Sequence, residues 1–261
     1  MNAIPRARDL IDLALRTPRL RSLAAIHMAK IIGEALAGDS MARTPGMLRG
    51  SDNGRCVREL WADIHDKIDI DVDFDTQLTR FDSGHLFACW IASLMAVAID
   101  DTMPDGYTTV LEQVTRHEDM TGHIDVLLRK VERTGLDGNR DWKWTTEHLW
   151  EIKTTYGIGK NVKEPALYQR LQAASYALGE GVPTFSIITL APANYAERFH
   201  QFDFVTDDFR TTVSAERVRL RAGLLDEMPE GDPEEKWRCT SCRFTACELN
   251  KNPLKFALLE I

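Results

Sequence analysis

The sequence is short of positive charge. Its 32 Lys and Arg stand against 40 Asp and Glu, a formal net charge of −8. A protein that passively coats nucleic acid needs the opposite balance. The deficit still leaves room for an enzyme acting on nucleic acid, because acidic metal ligands take local positive charge from their cation. Cysteine is scarce and odd in number, with five in 261 residues. That speaks against a disulfide framework, and a chain of this length can bury a core without one. Apolar runs read as broken by charge before they reach the ~18 residues of a membrane span, so no transmembrane helix is expected. The N-terminal apolar residues are interrupted by Asp9, Asp12 and several Arg. They lack the continuous core of a signal peptide, and a cytoplasmic location is expected. There is no internal repeat and no low-complexity run.

What is present reads as helices and strands in alternation. Residues 8–36 have helical character, with Pro18 marking a break or a start. A loop is expected over 38–54 and a short helix from Cys56 to about Lys67. IDIDVDFD at 68–75 alternates apolar and acidic residues, as an edge strand or extended loop does. Residues 84–100 are strongly apolar with helical spacing. Strands are expected at 107–118, 122–131 and 147–155, with a turn-rich connection at 134–141 between the last two. The long interval between those two strands implies an extended hairpin. Pro165 opens a helix ending at Gly179 or Gly181, followed by strands at 184–192 and 197–205. An amphipathic helix at 207–228 and a polar linker lead to the C-terminal segment. This order describes a mixed α/β fold with helices packed on a sheet.

Three cysteines cluster in WRCTSCRFTAC: Cys239 and Cys242 form a C-x-x-C, and Cys247 follows after four intervening residues. Thiolates at this spacing can converge on one soft metal. Cys56, flanked by polar residues in GRCVRELW, is the natural fourth ligand. Cys89 lies in an apolar helical run and reads as a small buried hydrophobe. Spacing alone leaves an iron–sulfur cluster, a zinc site and no metal all open. One distant ligand with three clustered ones suits the cluster somewhat better.

A second constellation is acidic. Asp125 lies mid-strand in GHID, and Glu151 and Lys153 are two apart in WEIKTT, hence on one face of a strand. Two carboxylates are hard ligands for Mg²⁺ or Mn²⁺. A lysine beside them can position or help deprotonate a water, or neutralise charge developing on a phosphoryl group. Apolar flanks (Val126, Leu127 and Leu128; Leu149 and Trp150) mark inner strands, where charge is uncommon without a role.

G-x-x-D followed by E-x-K resembles the core of the PD-(D/E)xK nuclease superfamily. Gln172-Ala-Ala-Ser-Tyr176 resembles the Q-h-x-x-Y motif of its RecB-like branch, and Gly84-His85 sits where that branch carries a metal-binding histidine. One cysteine before this core and three after it are similar to the iron–sulfur members. With no G-x-x-x-x-G-K-[ST] helicase motif, the chain most resembles Cas4-like exonucleases of CRISPR systems or phages. The resemblance spans Cys56 to Cys247.

The resemblance implies a restriction-endonuclease-like α/β fold with a mixed central sheet flanked by helices. One nuclease domain would span 1–261: an N-terminal helical segment (1–55), the nuclease core (56–228) and a cysteine tail (229–261). It implies His85, Asp125, Glu151 and the Ile152 carbonyl as ligands of Mg²⁺ or Mn²⁺, with Lys153 as catalytic lysine. Gln172 and Tyr176 would orient Lys153 or contact substrate. Cys56, Cys239, Cys242 and Cys247 would hold a [4Fe–4S] cluster, with zinc as the alternative. Thr154, Lys160 and Lys163 would touch DNA phosphates, and His123 shares the expected strand face of Asp125. The implied activity is exonucleolytic hydrolysis of DNA, single-stranded or with free ends, in recombination, repair or CRISPR adaptation. A homo-oligomer or a recombination or CRISPR partner protein fits that setting, and no membrane partner is expected. The alternatives are a non-catalytic cysteine–metal protein, DNA-binding or structural, and a structure-specific endonuclease.

Overall fold

The computed structural model describes residues 4–37, 46–68, 74–134, 141–154, 164–191, 196–231, 239, 242, 244 and 246–251. Helices α1 (Ala7–Arg16) and α2 (Pro18–Ala37) meet at Thr17, where Pro18 begins the second helix. The segment expected to be loop contains a two-residue strand, β1 (Leu48–Arg49), and a 3₁₀ turn over Gly50–Asp52. Helix α3 (Val57–Ile64) starts immediately after Cys56.

Helix α4 (Phe74–Thr102) begins ten residues before the expected apolar run. Of IDIDVDFD, Phe74 and Asp75 belong to this helix and 69–73 lie outside the described residues, so no edge strand forms at its end. Gly84–Thr102 is also long and apolar enough to cross a membrane by length and composition, contrary to expectation. Its most apolar window is 67% buried inside the protein. A helix apolar on all sides needs cover on all sides. Here α1 and α2 pack on one side through Leu10, Ile11, Leu20 and Ala24, and the sheet packs on the other.

The strands are β2 (Tyr107–His117), β3 (Met120–Thr134), β4 (Asp141–Thr154), β5 (Thr184–Ala191) and β6 (Ala196–Phe204). They form one mixed six-stranded sheet. β3 and β4 make the expected extended hairpin, paired out to Thr134 and Asp141. β4 and β5 are parallel, and helix α5 (Leu167–Glu180) connects them. α5 starts two residues after Pro165 and stops at Gly181, which takes the left-handed conformation at φ 67°. Helix α6 (Asp207–Arg221) ends earlier than expected, in a 3₁₀ turn at Ala222–Leu224. The architecture is α/β, with a mixed central sheet flanked by helices, consistent with a restriction-endonuclease-like fold.

Two apolar layers hold it. Val126, Leu128, Trp150, Ile152, Ile188 and Leu190 face α4. Leu127, Leu149 and Ile187 face α5, and Val213 of α6 joins that layer. One feature of the sheet creates the site. Along one edge of β3, β1 pairs at Met120 and Thr121, and β4 pairs only from Val126 onward. Among the described residues, 122–125 have no strand partner on that edge, and a notch opens there.

Candidate active site and cysteine corner

Asp125 sits where β3 and β4 part. Its Oδ2 accepts a hydrogen bond of 2.5 Å from the Ile152 N–H, in the place of a ladder bond. Glu151 and Lys153 share a face of β4 with Leu149, toward α5. Lys153 Nζ donates to Glu151 Oε1 at 2.7 Å and to Gln172 Oε1 at 3.0 Å. Gln172 Nε2 donates to the same Glu151 Oε1 and to the Tyr176 hydroxyl oxygen, both at 3.0 Å. Gln172 and Tyr176, one helical turn apart, therefore orient the acid–lysine pair from α5. The side chains expected to act together at Asp125, Glu151, Lys153, Gln172 and Tyr176 are together.

Tyr176 is itself held by the absence of side chains. A Cβ on Gly122 would lie 2.3 Å from its hydroxyl oxygen, and one on Gly50 would lie 2.3 Å from its ring. The glycine of GHID thus lets the tyrosine lie against the strand.

The electrostatics is one of crowded acids. Burial, then Glu151 and Glu112, push Asp125 well above the usual carboxylate range, against the pull of Lys153 and the Ile152 N–H. Burial and Glu151 push Glu112 up to about 7. Burial lowers the Lys153 affinity for its proton, but Glu151 and Asp125 outweigh it and hold the ammonium above its ordinary value. Burial, reinforced by Glu151, holds the Tyr176 hydroxyl well above its usual range, so it is a neutral hydrogen-bonding group.

Glu112 was not legible in the sequence. In VLEQV it reads as a polar residue on the outer face of a strand. Its Oε1 accepts a long contact of 3.9 Å from Cys89 Sγ, and its Oε2 lies 3.8 Å from His123 Nδ1. Cys89 is buried as expected, and its Sγ also lies 3.7 Å from His85 Nε2. His85, His123 and Glu112 therefore border the acid cluster. Burial, then His85 and Arg49, hold His123 below its ordinary value. Thr154 ends β4. Lys160 and Lys163, the other expected phosphate contacts, lie outside the described residues.

Among the described residues, no three His, Cys, Asp or Glu side chains are set at the distances of a metal shell. The donor set nevertheless fits a hard divalent cation. Glu151 is 3% exposed, and its Oε2 is a buried oxygen without a hydrogen-bond partner. A buried carboxylate oxygen without a donor is costly. A cation between Glu151, Asp125 and the Ile152 carbonyl would satisfy it and relieve the repulsion among the acids.

The cysteines meet elsewhere. Cys56, Cys239, Cys242 and Cys247 line one cavity with Arg58, Glu59 and Phe244. Arg58 ties the tail to α3: its Nε donates to the Pro229 carbonyl at 3.0 Å, and Nη1 to Cys247 Sγ at 3.5 Å and Glu248 Oε1 at 2.5 Å. Ala62 of α3 packs against Cys242, Phe244 and Cys247. Burial pushes the Cys242 thiol up to about 11 and raises Cys239, so without a cation both are protonated at neutral pH. Four thiols around one cavity are a donor set suited to a soft metal or a cluster, whose binding would release their protons.

No family model matches the sequence, and no curated protein matches it. Solved structures do. That of SSO0001 superimposes with a TM-score of 0.47 at 15% identity, covering 87% of this chain and 96% of that one. An alkaline exonuclease, LHK-Exo from Laribacter hongkongensis, superimposes with a TM-score of 0.37 at 15% identity, covering 69% and 90% of the two chains.

Proposed function

We propose that the protein is a Mg²⁺- or Mn²⁺-dependent deoxyribonuclease of the PD-(D/E)xK type, acting from DNA ends. The observation that carries this is the notch itself. Asp125 and Glu151 converge there, Glu151 keeps a buried oxygen without a partner, and Gln172 fixes Lys153 beside them.

Asp125, Glu151 and the Ile152 carbonyl would hold the cation, with His85 reaching in from α4. Bound there, Mg²⁺ or Mn²⁺ supplies Lewis-acid polarisation of a phosphoryl oxygen and acidifies a water. Lys153 acts as an ammonium, because the two acids keep its proton in place. It orients the attacking water or meets charge developing on the scissile phosphate. Gln172 holds the Lys153–Glu151 pair in register, and Tyr176 anchors Gln172. Thr154, Lys160 and Lys163 are the proposed phosphate contacts beyond the strand. At the other site, Cys56, Cys239, Cys242 and Cys247 are proposed to hold a [4Fe–4S] cluster, or zinc, that pins the tail to α3.

The test is cleavage of end-labelled single- and double-stranded DNA with Mn²⁺, Mg²⁺ or chelator, on protein purified without oxygen. Cation-dependent shortening from an end, lost in Lys153→Ala, is the expected result. Internal cuts would make the enzyme an endonuclease. Equal inertness of wild type and variant, in protein carrying its iron or zinc, would assign a non-catalytic metal-binding role instead.

A further inference from the structure

We infer that Glu112 is a third carboxylate ligand of the cation site. The inference rests on the proposal that Asp125 and Glu151 bind the cation. It stands on how β2 and β3 are built where they cross the notch.

Residues three apart on a regular strand face opposite sides of a sheet. On β3, Ile124 and Leu127 nonetheless both pack toward α5, while Val126 packs toward α4. On β2, Val110 packs toward α5 and Leu111 toward α4. Three residues after Val110, Gln113 again lies on the α5 side, where it accepts from Arg129, the partner of Glu180. Both strands therefore slip their alternation, and they slip at the same place. The paired residues run Leu111 with Val126 and then Gln113 with Ile124. The rung left out is Glu112 opposite Asp125.

Glu112 takes a φ of 49°, in the left-handed region. A non-glycine residue held there inside a strand is strained and is kept where the surroundings demand it. If Glu112 faced solvent, an ordinary strand would do. Its carboxylate is instead turned to the border of the acid cluster, between Cys89 and His123. Neither contact is a strong hydrogen bond, so neither explains the turn. Asp125, Glu151 and Glu112 stand there against one ammonium, Lys153, which pairs with Glu151 Oε1 and leaves the buried Oε2 without a donor, so the protein's own groups do not balance the cluster's charge. A divalent cation would do so, and a third carboxylate adds a hard oxygen to its shell.

The probe is Mn²⁺ alone, titrated calorimetrically into oxygen-free wild type, Glu112→Gln and Asp125→Asn, with circular dichroism of each. Glu112→Gln keeps the shape and removes the charge. Expected is a Mn²⁺ affinity at least ~10-fold weaker than wild type, as for lost ligands and their direct supports. The fold and the unfolding midpoint without Mn²⁺ should be retained or improved. Glu112→Asp keeps the charge but retracts it by one methylene, and should fall between. An affinity within twofold of wild type for Glu112→Gln, with Asp125→Asn weakened, would overturn the inference while leaving the cation site standing. So would loss of the fold in Glu112→Gln, which would make the residue structural. Wild type that takes up no Mn²⁺ at this site would remove the cation reading and this inference together.

Discussion

The notch and the cysteine corner both gather ligand-type side chains, and they are built in opposite ways. The notch takes its groups from paired strands and one helix. Asp125 is tied to the Ile152 N–H, and Glu151, Lys153, Gln172 and Tyr176 are linked by hydrogen bonds of 2.7–3.0 Å. The corner brings the start of α3 to a tail whose described residues form no α-helix or strand, through Arg58 and a small apolar contact. A preorganised site can lose its ligand and keep its shape. A corner held by so little would gain its order from a metal or cluster bound there. The first should therefore govern rate and the second stability.

The largest expected effect separates the two. Lys153→Ala or Asp125→Asn should lower DNA cleavage by roughly 100- to 1,000-fold, the usual cost of one well-placed electrostatic group. For Asp125→Asn the unfolding midpoint should barely fall, because the amide oxygen can still accept from the Ile152 N–H; Lys153→Ala strips buried Glu151 of its ammonium and should lower the metal-free midpoint, a loss that Mn²⁺ should offset. A variant that lost fold and activity in parallel would break the comparison.

Next comes Cys247→Ser. It should lose bound metal and lower the unfolding midpoint by roughly 10 °C, corresponding to ~3 kcal/mol at this size. Cleavage per folded molecule should change little. A Cys247→Ser protein that keeps its midpoint, solubility and full activity would show that the corner does no structural work.

The third effect is a pH dependence confined to the notch. The folded-state values of Glu112 and Asp125 lie above their ordinary ones, so their protonated forms suit the metal-free fold. That contribution is complete below about 4.5, the ordinary value of Glu112, and is lost as pH rises through about 7. Protein freed of Mg²⁺ and Mn²⁺ should lose roughly 2 kcal/mol of stability from these groups between pH 5 and 8. Urea midpoints measured at several pH values test this. Mn²⁺ should flatten the trend, and Glu112→Gln should remove part of it.

The smallest effect concerns a glycine. Gly122→Ala pushes a methyl into Tyr176 and should cost ~1–2 kcal/mol. It should also reduce cleavage about tenfold by loosening Gln172, an indirect effect on orientation. Gly33 of α2 is the contrast, because a Cβ there would meet nothing within 4 Å. Gly33→Ala should therefore be neutral or stabilising by up to ~1 kcal/mol. Equal behaviour of the two substitutions would show that Tyr176 is not held by the close approach.

Much of the frame was legible because local pattern and tertiary need agree. Apolar strands with β-branched residues became the inner strands, and the long 134–141 interval became an extended hairpin. Glu151 and Lys153 share a face because strand geometry leaves no alternative. Other features were not legible. Residues 74–83 continue α4 although their polar pattern differs from the apolar run. β1 is two residues long and exists only through its pairing with Met120 and Thr121. The 84–102 segment carries the composition of a membrane span, and only its cover by α1, α2 and the sheet makes it a core helix.

Glu112 marks the boundary between the two kinds of information. By sequence, this protein's alternating elements, its acid–lysine pair, the Gln172–Tyr176 spacing and the cysteine set were determined, because each depends on residue type and short-range periodicity. Only the tertiary structure decided that β1 and β4 share one edge of β3 and leave a notch between them. It alone decided that Gly122 admits Tyr176, that Cys56 meets a tail far along the chain, and that the β2–β3 ladder omits the rung at Glu112 and Asp125. Register and approach between distant segments are set by packing across the whole sheet, and no local run of residues encodes them.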